Sequence, residues 1–106
     1  MAKTKKAKIE KRGKTPKQLE RHFKGVANHW RIAILMLVAE KPGITVDEIS
    51  EELHGHFKTI SAHTKRLVEA GLLNKKYHAH NVKHTLSPYG KTFVRFINIF
   101  SNSQEF

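Results

Sequence analysis

The sequence predicts a mainly α-helical fold with about five helices and one small β-hairpin. Three observations lead to this prediction. Between residues 45 and 70, two amphipathic helical patterns follow each other across a short turn that contains Gly55. Residues 72–86 then form two short strand-like runs around a predicted turn at His80 and Asn81. Further helical patterns begin at Thr15 and at Ser87 and flank this central region.

The first helix of the central pair has a clear start signal. Thr45 is a favourable N-cap, and Glu48 stands at the third helical position, where its carboxylate can reach back in a capping box. Ile44 can pack on Ile49 as a hydrophobic staple. The predicted buried side consists of Val46, Ile49 and Leu53.

The second helix, from about Phe57 to Ala70, has one apolar stripe and one cationic stripe. At 100° per residue, Ile60, Thr64 and Leu67 fall within one narrow sector. The opposite sector carries Lys58, Ser61, Ala62, Lys65 and Arg66, with Glu69 as its only acid. Long cations reach phosphates, whereas Ser and Ala leave room for base edges and thymine methyl groups. The pattern therefore suits a helix in the major groove of DNA, and an ordinary solvated helix face is the alternative.

A basic hairpin follows at once after Gly71, which is suited to end the helix. Three lysines and three histidines lie in it: Lys75, Lys76, Lys83, His78, His80 and His84. A helix-turn-helix followed by such a hairpin is typical of a winged helix, in which the hairpin reaches an adjacent groove or the backbone. The predicted DNA contacts are Lys58, Thr59, Ser61, Ala62 and Lys65 near bases, Arg66, Lys75, Lys76 and Lys83 at phosphates, and the histidines His56, His78 and His80.

Residues 45–73 resemble the ArsR-like branch of winged helix-turn-helix transcription factors. The loose family pattern T-V-x-E-I-[AS]-x-x-L, then T-[IV]-S-x-H-L-x-x-L-x-x-A-G-L, is matched at Thr45, Val46, Glu48, Ile49, Ser50, Leu53, Thr59, Ile60, Ser61, His63, Leu67, Ala70, Gly71 and Leu72. Upstream, NHWRIAILMLVAEKPG is similar to the family helix of the type DPTRLRILELLAEG. Downstream, LSPYG resembles the LTxxG wing ending of MarR-like and PadR-like regulators. The resemblance implies a homodimeric DNA-binding transcriptional regulator, with repression as the expected outcome.

The chain departs from the family pattern in the turn and in its metal ligands. His54, Gly55 and His56 stand where Gly, an apolar residue and a Ser or Thr cap are usual, and Thr64 replaces Leu. The family's thiol metal sites cannot form because the chain has no Cys. No metal and no cofactor are therefore predicted.

Two terminal helices carry more apolar residues than one small domain needs to cover. The stripes are Leu19, Phe23 and Val26 on the helix from Pro16 to about Ala27, and Phe93, Phe96, Ile97 and Phe100 on the last helix. They predict a two-fold dimer interface, as the resemblance also implies. The alternative is that the two helices simply pack on each other within a monomer. Between them, Trp30 to about Glu40 is apolar all round and is predicted to form the centre of the core.

The charge distribution predicts a partner that is a polyanion. The formal net charge is +11, and residues 1–14 contribute seven Lys or Arg against one acid, Glu10. This segment is predicted to be a basic arm, disordered when free, that adds phosphate contacts to the domain formed by residues 15–106. A solubility tail or a cloning remnant is the alternative. The absence of an 18-residue apolar run or a signal-peptide core predicts a cytoplasmic, nucleoid-associated protein with no membrane partner.

The eight histidines allow two interpretations. Those in the turn and hairpin could bind a metal, although no acid or thiol in the hairpin completes a ligand set. The favoured interpretation makes His56, His78, His80 and His84 hydrogen-bond donors to DNA that gain charge at low pH, which predicts tighter binding at about pH 6 than at about pH 8. No catalytic arrangement appears, so an enzyme is not expected. RNA or protein binding by a winged helix remains the main alternative function.

Overall fold

The computed structural model describes residues 13–103, which form five helices and one antiparallel hairpin. The elements are α1 (Pro16–Val26), α2 (His29–Glu40), α3 (Val46–Leu53), α4 (Phe57–Glu69), β1 (Leu73–His78), β2 (Asn81–Leu86) and α5 (Pro88–Ser101). This arrangement confirms the predicted fold class. The predicted basic arm falls almost wholly outside the described residues, which include only its last two positions.

Local capping decides where the helices begin. Two capping boxes form: Thr45 and Glu48 exchange hydrogen bonds at the start of α3, as predicted, and Thr15 and Gln18 do so at the start of α1. The Asn28 side chain accepts hydrogen bonds from two backbone amides at the start of α2. Each cap satisfies amide groups that the first helical turn leaves without an intrahelical partner.

The core surrounds one side of α2. Ile34, Leu35 and Val38 of this helix are fully buried, and they pack with Ile49 of α3 and with the apolar stripe of α4. The prediction that α2 is enclosed all round is wrong at Ile32, which is 38% exposed. Its side chain is directed towards the groove between α1 and α5, where no other part of the described chain covers it.

The hairpin turn lies one residue earlier than predicted. Leu73 pairs with Leu86, and the ladder continues to His78 and Asn81, so that Asn81 belongs to β2 and the turn is formed by Ala79 and His80. Ala79 adopts a left-handed conformation with φ of +56°. A third segment joins the sheet, because Gly43 N–H donates to the His84 carbonyl and His84 N–H donates to the Ile44 carbonyl, at 2.8 and 3.0 Å.

Candidate nucleic-acid interface

The turn between α3 and α4 explains how the unusual sequence His54-Gly55-His56 replaces the family pattern. His54 takes the left-handed conformation that ends α3, with φ of +55°. The Nδ1 atom of His56 accepts a hydrogen bond from the backbone amide of Lys58 at 3.3 Å, so this imidazole is the N-cap of α4. A Cβ atom at Gly55 would lie 2.6 Å from Ile60 Cδ1, which is why glycine is needed at this close approach.

The two faces of α4 agree with the predicted stripes. Ile60, Thr64 and Leu67 are buried, and the Thr64 hydroxyl donates to the Ile60 carbonyl at 2.8 Å, so its burial leaves no donor unsatisfied. Of the predicted DNA-contacting side chains on α4, those of Lys58, Thr59, Ala62, Lys65 and Arg66 are exposed, while Ser61 lies half-buried at the edge; Phe57 and Glu69 at the two ends of the helix are also exposed. The cationic face is therefore available to a partner along the whole helix.

Helix α1 holds the carboxyl end of α4 in place. Arg21 Nη2 donates to the Glu69 carbonyl at 3.0 Å, and His22 Nδ1 donates to the Ala70 carbonyl at 2.6 Å. These groups satisfy carbonyls that the last helical turn leaves without amide partners, and the arginine also complements the negative end of the helix dipole. Sequence reasoning missed both residues because 48 positions separate each donor from its acceptor.

The hairpin register divides the three predicted lysines between two faces. Lys76 lies directly opposite Lys83, so their side chains share one face, whereas Lys75 lies opposite His84 on the other face. Like charges opposite each other on a sheet repel, and an anion between them would relieve this repulsion. Lys83 is close enough to Glu48 to help lower the pKa of that carboxyl, although hydrogen bonds from Thr45 lower it more. Glu48 therefore partly offsets the charge of Lys83, whereas it is not seen to act on Lys76.

Ion pairing leaves the candidate surface positively charged. The ion pairs within residues 13–103 join Lys24 to Glu20 at 3.2 Å and Lys41 to Glu52 at 2.6 Å. Neither involves a cation of α4 or of the hairpin. The exposed cations of these two elements are therefore not ion-paired with any carboxylate of residues 13–103, as expected for a surface that binds a polyanion.

The prediction that His84 faces DNA is wrong. Its side chain is buried, and Nδ1 donates to the Ile44 carbonyl at 3.3 Å, in the third backbone segment that pairs with β2. His78 and His80 remain exposed on the hairpin. The suggested hairpin metal set does not assemble, and no three His, Cys, Asp or Glu side chains between residues 13 and 103 are grouped to hold a metal.

The burial of His84 predicts a loss of stability in acid. Burial lowers the pKa of its imidazole, so the unfolded chain binds the proton more readily than the folded chain does. The contribution of His84 to the free energy of unfolding should therefore be constant above the ordinary pKa near 6.5 and fall as the pH decreases from there through the folded-state pKa. Denaturant unfolding at fixed ionic strength measures this. His84→Gln should flatten the decrease and His80→Gln should not; equal decreases in the wild type and His84→Gln would contradict the prediction.

An apolar groove of about 310 Å³ lies between α1 and α5. Phe23 and Phe93 pack edge to face across its base with ring centroids 5.1 Å apart, so the two helices contact each other within one protomer. Even so, Phe23 is 52% and Phe96 50% exposed, and Leu19, Ile99 and Phe100 also remain exposed. Val26 was predicted to lie in an interface, but it is buried in the protomer's own core because α1 packs over α2 there.

Within residues 13–103, no helix combines the length and the apolar character that a membrane span requires, and α5 has only 14 residues.

Three adjoining features define the class of this protein: a helix-turn-helix with an exposed cationic second helix, a basic hairpin directly after it, and a closing helix. They make up a winged helix-turn-helix. Residues 29–75 match the family model described as bacterial regulatory protein, arsR family. The chain is thus a winged helix-turn-helix protein, and its residues 29–75 are similar to the helix-turn-helix domain of that family.

Solved structures with the same fold include several regulators. Reduced HlyU from Vibrio cholerae is 25% identical, with a TM-score of 0.71 over 81% of this chain and 90% of its own. The homodimeric winged helix-turn-helix DNA-binding domain of a possible ArsR-family regulator from Mycobacterium bovis is 20% identical, with a TM-score of 0.76. The match covers 85% of this chain and 83% of that domain. NolR from Sinorhizobium fredii is 16% identical, with a TM-score of 0.69, and the match covers 82% of this chain and 88% of NolR. Comparison with curated protein sequences gave no match.

Proposed function

We propose that this protein is a sequence-specific regulator of transcription that binds double-stranded DNA as a homodimer. The observation that carries the proposal is the exposed cationic face of α4, which stands next to the basic hairpin and is not ion-paired with any carboxylate in the described part of the chain. In this arrangement α4 enters the major groove, where Lys58, Ser61 and Lys65 lie near bases. The lysines of the hairpin contact phosphates of the DNA backbone. Repression is the proposed outcome, because the sequence resembles the ArsR-like branch and this resemblance implies repression.

The groove between α1 and α5 supports the homodimer. Its walls include three aromatic rings that the protomer leaves about half exposed, those of Phe23, Phe96 and Phe100. Burying such rings against a second copy removes apolar surface from water. A two-fold dimer would place the two α4 helices about 34 Å apart, in successive major grooves, and would favour an inverted-repeat site. The homodimeric state of the Mycobacterium bovis domain is consistent with this assembly.

Competition between nucleic acids tests the proposed function against RNA binding. A labelled DNA duplex is displaced with unlabelled duplex DNA, duplex RNA or single-stranded DNA at two salt concentrations. Duplex DNA should compete best, because the exposed face of α4 suits the wide major groove of B-form DNA and not the deep, narrow groove of A-form RNA. Equal or better competition by RNA would support the alternative function and overturn this one.

Lys76→Ala should weaken binding to all duplexes by a similar factor. The side chain is exposed on the hairpin face that it shares with Lys83, and it is proposed to contact a phosphate. Losing one phosphate contact should reduce the slope of log affinity against log salt by about one ion without changing the preferred sequence. A salt titration on two unrelated duplexes measures both effects. Lys24→Ala is the control, because Lys24 is paired with Glu20 on α1; a change in sequence preference in Lys76→Ala would contradict the phosphate role.

A further inference from the structure

Arg31, in the first turn of α2, has an unusual environment for an arginine. Its Nη1 atom lies 3.2 Å from Nδ1 of His63, which belongs to the flank of α4. The guanidinium only donates, so His63 Nδ1 must accept, and the imidazole is neutral in this contact. The Nε atom of Arg31 is buried and has no hydrogen-bond partner in the described part of the chain. Arg31 is thus held at one nitrogen and unsatisfied at another.

The charges around this contact all have the same sign. Burial lowers the pKa of His63, and the nearby cations Arg31 and Arg66, together with His29, lower it further. The ion pairs found between residues 13 and 103 do not include Arg31. A partly buried guanidinium without a carboxylate is costly, and an added anion would remove this cost. The cluster therefore attracts an anion from outside the protomer.

The position of Arg31 relates the cluster to the surface of α4. His63 follows Ala62 directly and precedes Arg66 by one helical turn, so Arg31 extends the cationic face of α4 onto α2. The neighbouring ring of Trp30 packs beneath the turn at Gly55, where a Cβ atom would lie 3.1 Å from it. This contact fixes the start of α2 against the helix-turn-helix. Arg31 is therefore presented beside the groove-binding helix on a rigid support.

We infer that Arg31, oriented by His63, binds a phosphodiester of the DNA backbone at the edge of the major groove that α4 occupies. The inference rests on the proposed function and adds a site that none of the lysines supplies. A guanidinium suits this role, because its planar set of donors can bind phosphate oxygens while one nitrogen keeps the contact with the imidazole. The contact is independent of base sequence and fixes the register of α4 in the groove.

Arg31→Gln tests the site in a salt titration on a fluorescent DNA duplex. The variant should lower affinity by about tenfold and reduce the slope of log affinity against log salt by about one ion. Arg95→Gln is the matched control, since Arg95 is exposed on α5 and its Nη2 donates to the Thr92 hydroxyl of the same helix at 3.4 Å; it should bind as the wild type does. Arg31→Lys keeps the charge and should keep the slope, yet lose affinity because one ammonium cannot satisfy both partners.

Duplexes with single methylphosphonate substitutions locate the contact. Neutralising one phosphate beside the α4 groove should weaken wild-type binding and leave Arg31→Gln unaffected at that position. If thermal melts show that Arg31→Gln is destabilised, Arg31→Lys is used instead. Its affinity should then fall less than that of the wild type when the same phosphate is neutralised. Wild-type slope and sensitivity in both Arg31 variants would overturn the inference while leaving the proposed function intact. Failure of the wild type to bind any duplex would instead overturn the proposed function.

Discussion

Phe96→Glu is expected to leave the protein monomeric and to weaken binding to an inverted-repeat duplex by at least about a hundredfold. Phe96 lies in the groove between α1 and α5 with half of its surface exposed, and its ring stacks on Phe100 with centroids 5.7 Å apart. A carboxylate at this position would be buried without a partner in the dimer, which is strongly unfavourable. Loss of the dimer removes the gain of about 10²–10⁴ in affinity that linking two half-site contacts provides.

Asn98→Glu provides the matched control for this substitution. It introduces the same charge on α5, but two residues further along, which places it about 200° around the helix from Phe96 and outside the groove. Sedimentation equilibrium should give a dimer for the wild type and Asn98→Glu, and a monomer for Phe96→Glu. A Phe96→Glu protein that remains dimeric would contradict the proposed interface. Equal disruption by both variants would show that added charge alone is responsible.

Lys65→Ala is expected to change both affinity and the sequence that the protein selects. Lys65 is exposed on the outer face of α4, and no ion pair within residues 13–103 involves its side chain. A lysine that donates to a base edge contributes about 1–3 kcal/mol of discrimination, so its loss should relax the preference at one position of each half-site. Selection of bound duplexes from a random pool, followed by affinity measurement on the best sequence, shows both effects.

Lys17→Ala is the control for the recognition role, because Lys17 is an exposed lysine of α1 and is not among the predicted DNA contacts. It should select the wild-type sequence and bind it with nearly wild-type affinity. If Lys65→Ala retains both the selected sequence and the affinity, α4 does not read bases through this residue. If it loses affinity equally on all duplexes, Lys65 contacts a phosphate instead.

The sequence predicted those features that depend on neighbouring residues. The capping box of Thr45 and Glu48 spans three positions, and the buried stripe from Ile60 to Leu67 follows from helical periodicity, so both could be read directly. The exposed side of α4 follows from the same periodicity. What the structure adds for this surface is that α4 turns it to solvent and that the ion pairs of the described residues leave it uncompensated.

Features that depend on distant segments could not be predicted in this way. Strand alternation predicts which side of β2 His84 lies on. Its buried contact, however, is with the carbonyl of Ile44, 40 positions away, in the segment that joins the sheet. The contact between Arg31 and His63 spans 32 positions. Likewise, periodicity marks Val26 and Ile32 as apolar, but only helix packing buries the first and exposes the second.

The most direct measurement combines in-vitro selection from random DNA duplexes with sizing of the selected complex. Two α4 helices on a two-fold dimer should enrich an inverted repeat whose half-site centres lie about one helical turn, or 10 base pairs, apart, bound by two protomers. Enrichment of sequences without two-fold symmetry, bound by a single protomer, would contradict the proposed dimer. The absence of any enrichment over the starting pool would contradict the central claim that the exposed face of α4 reads duplex DNA.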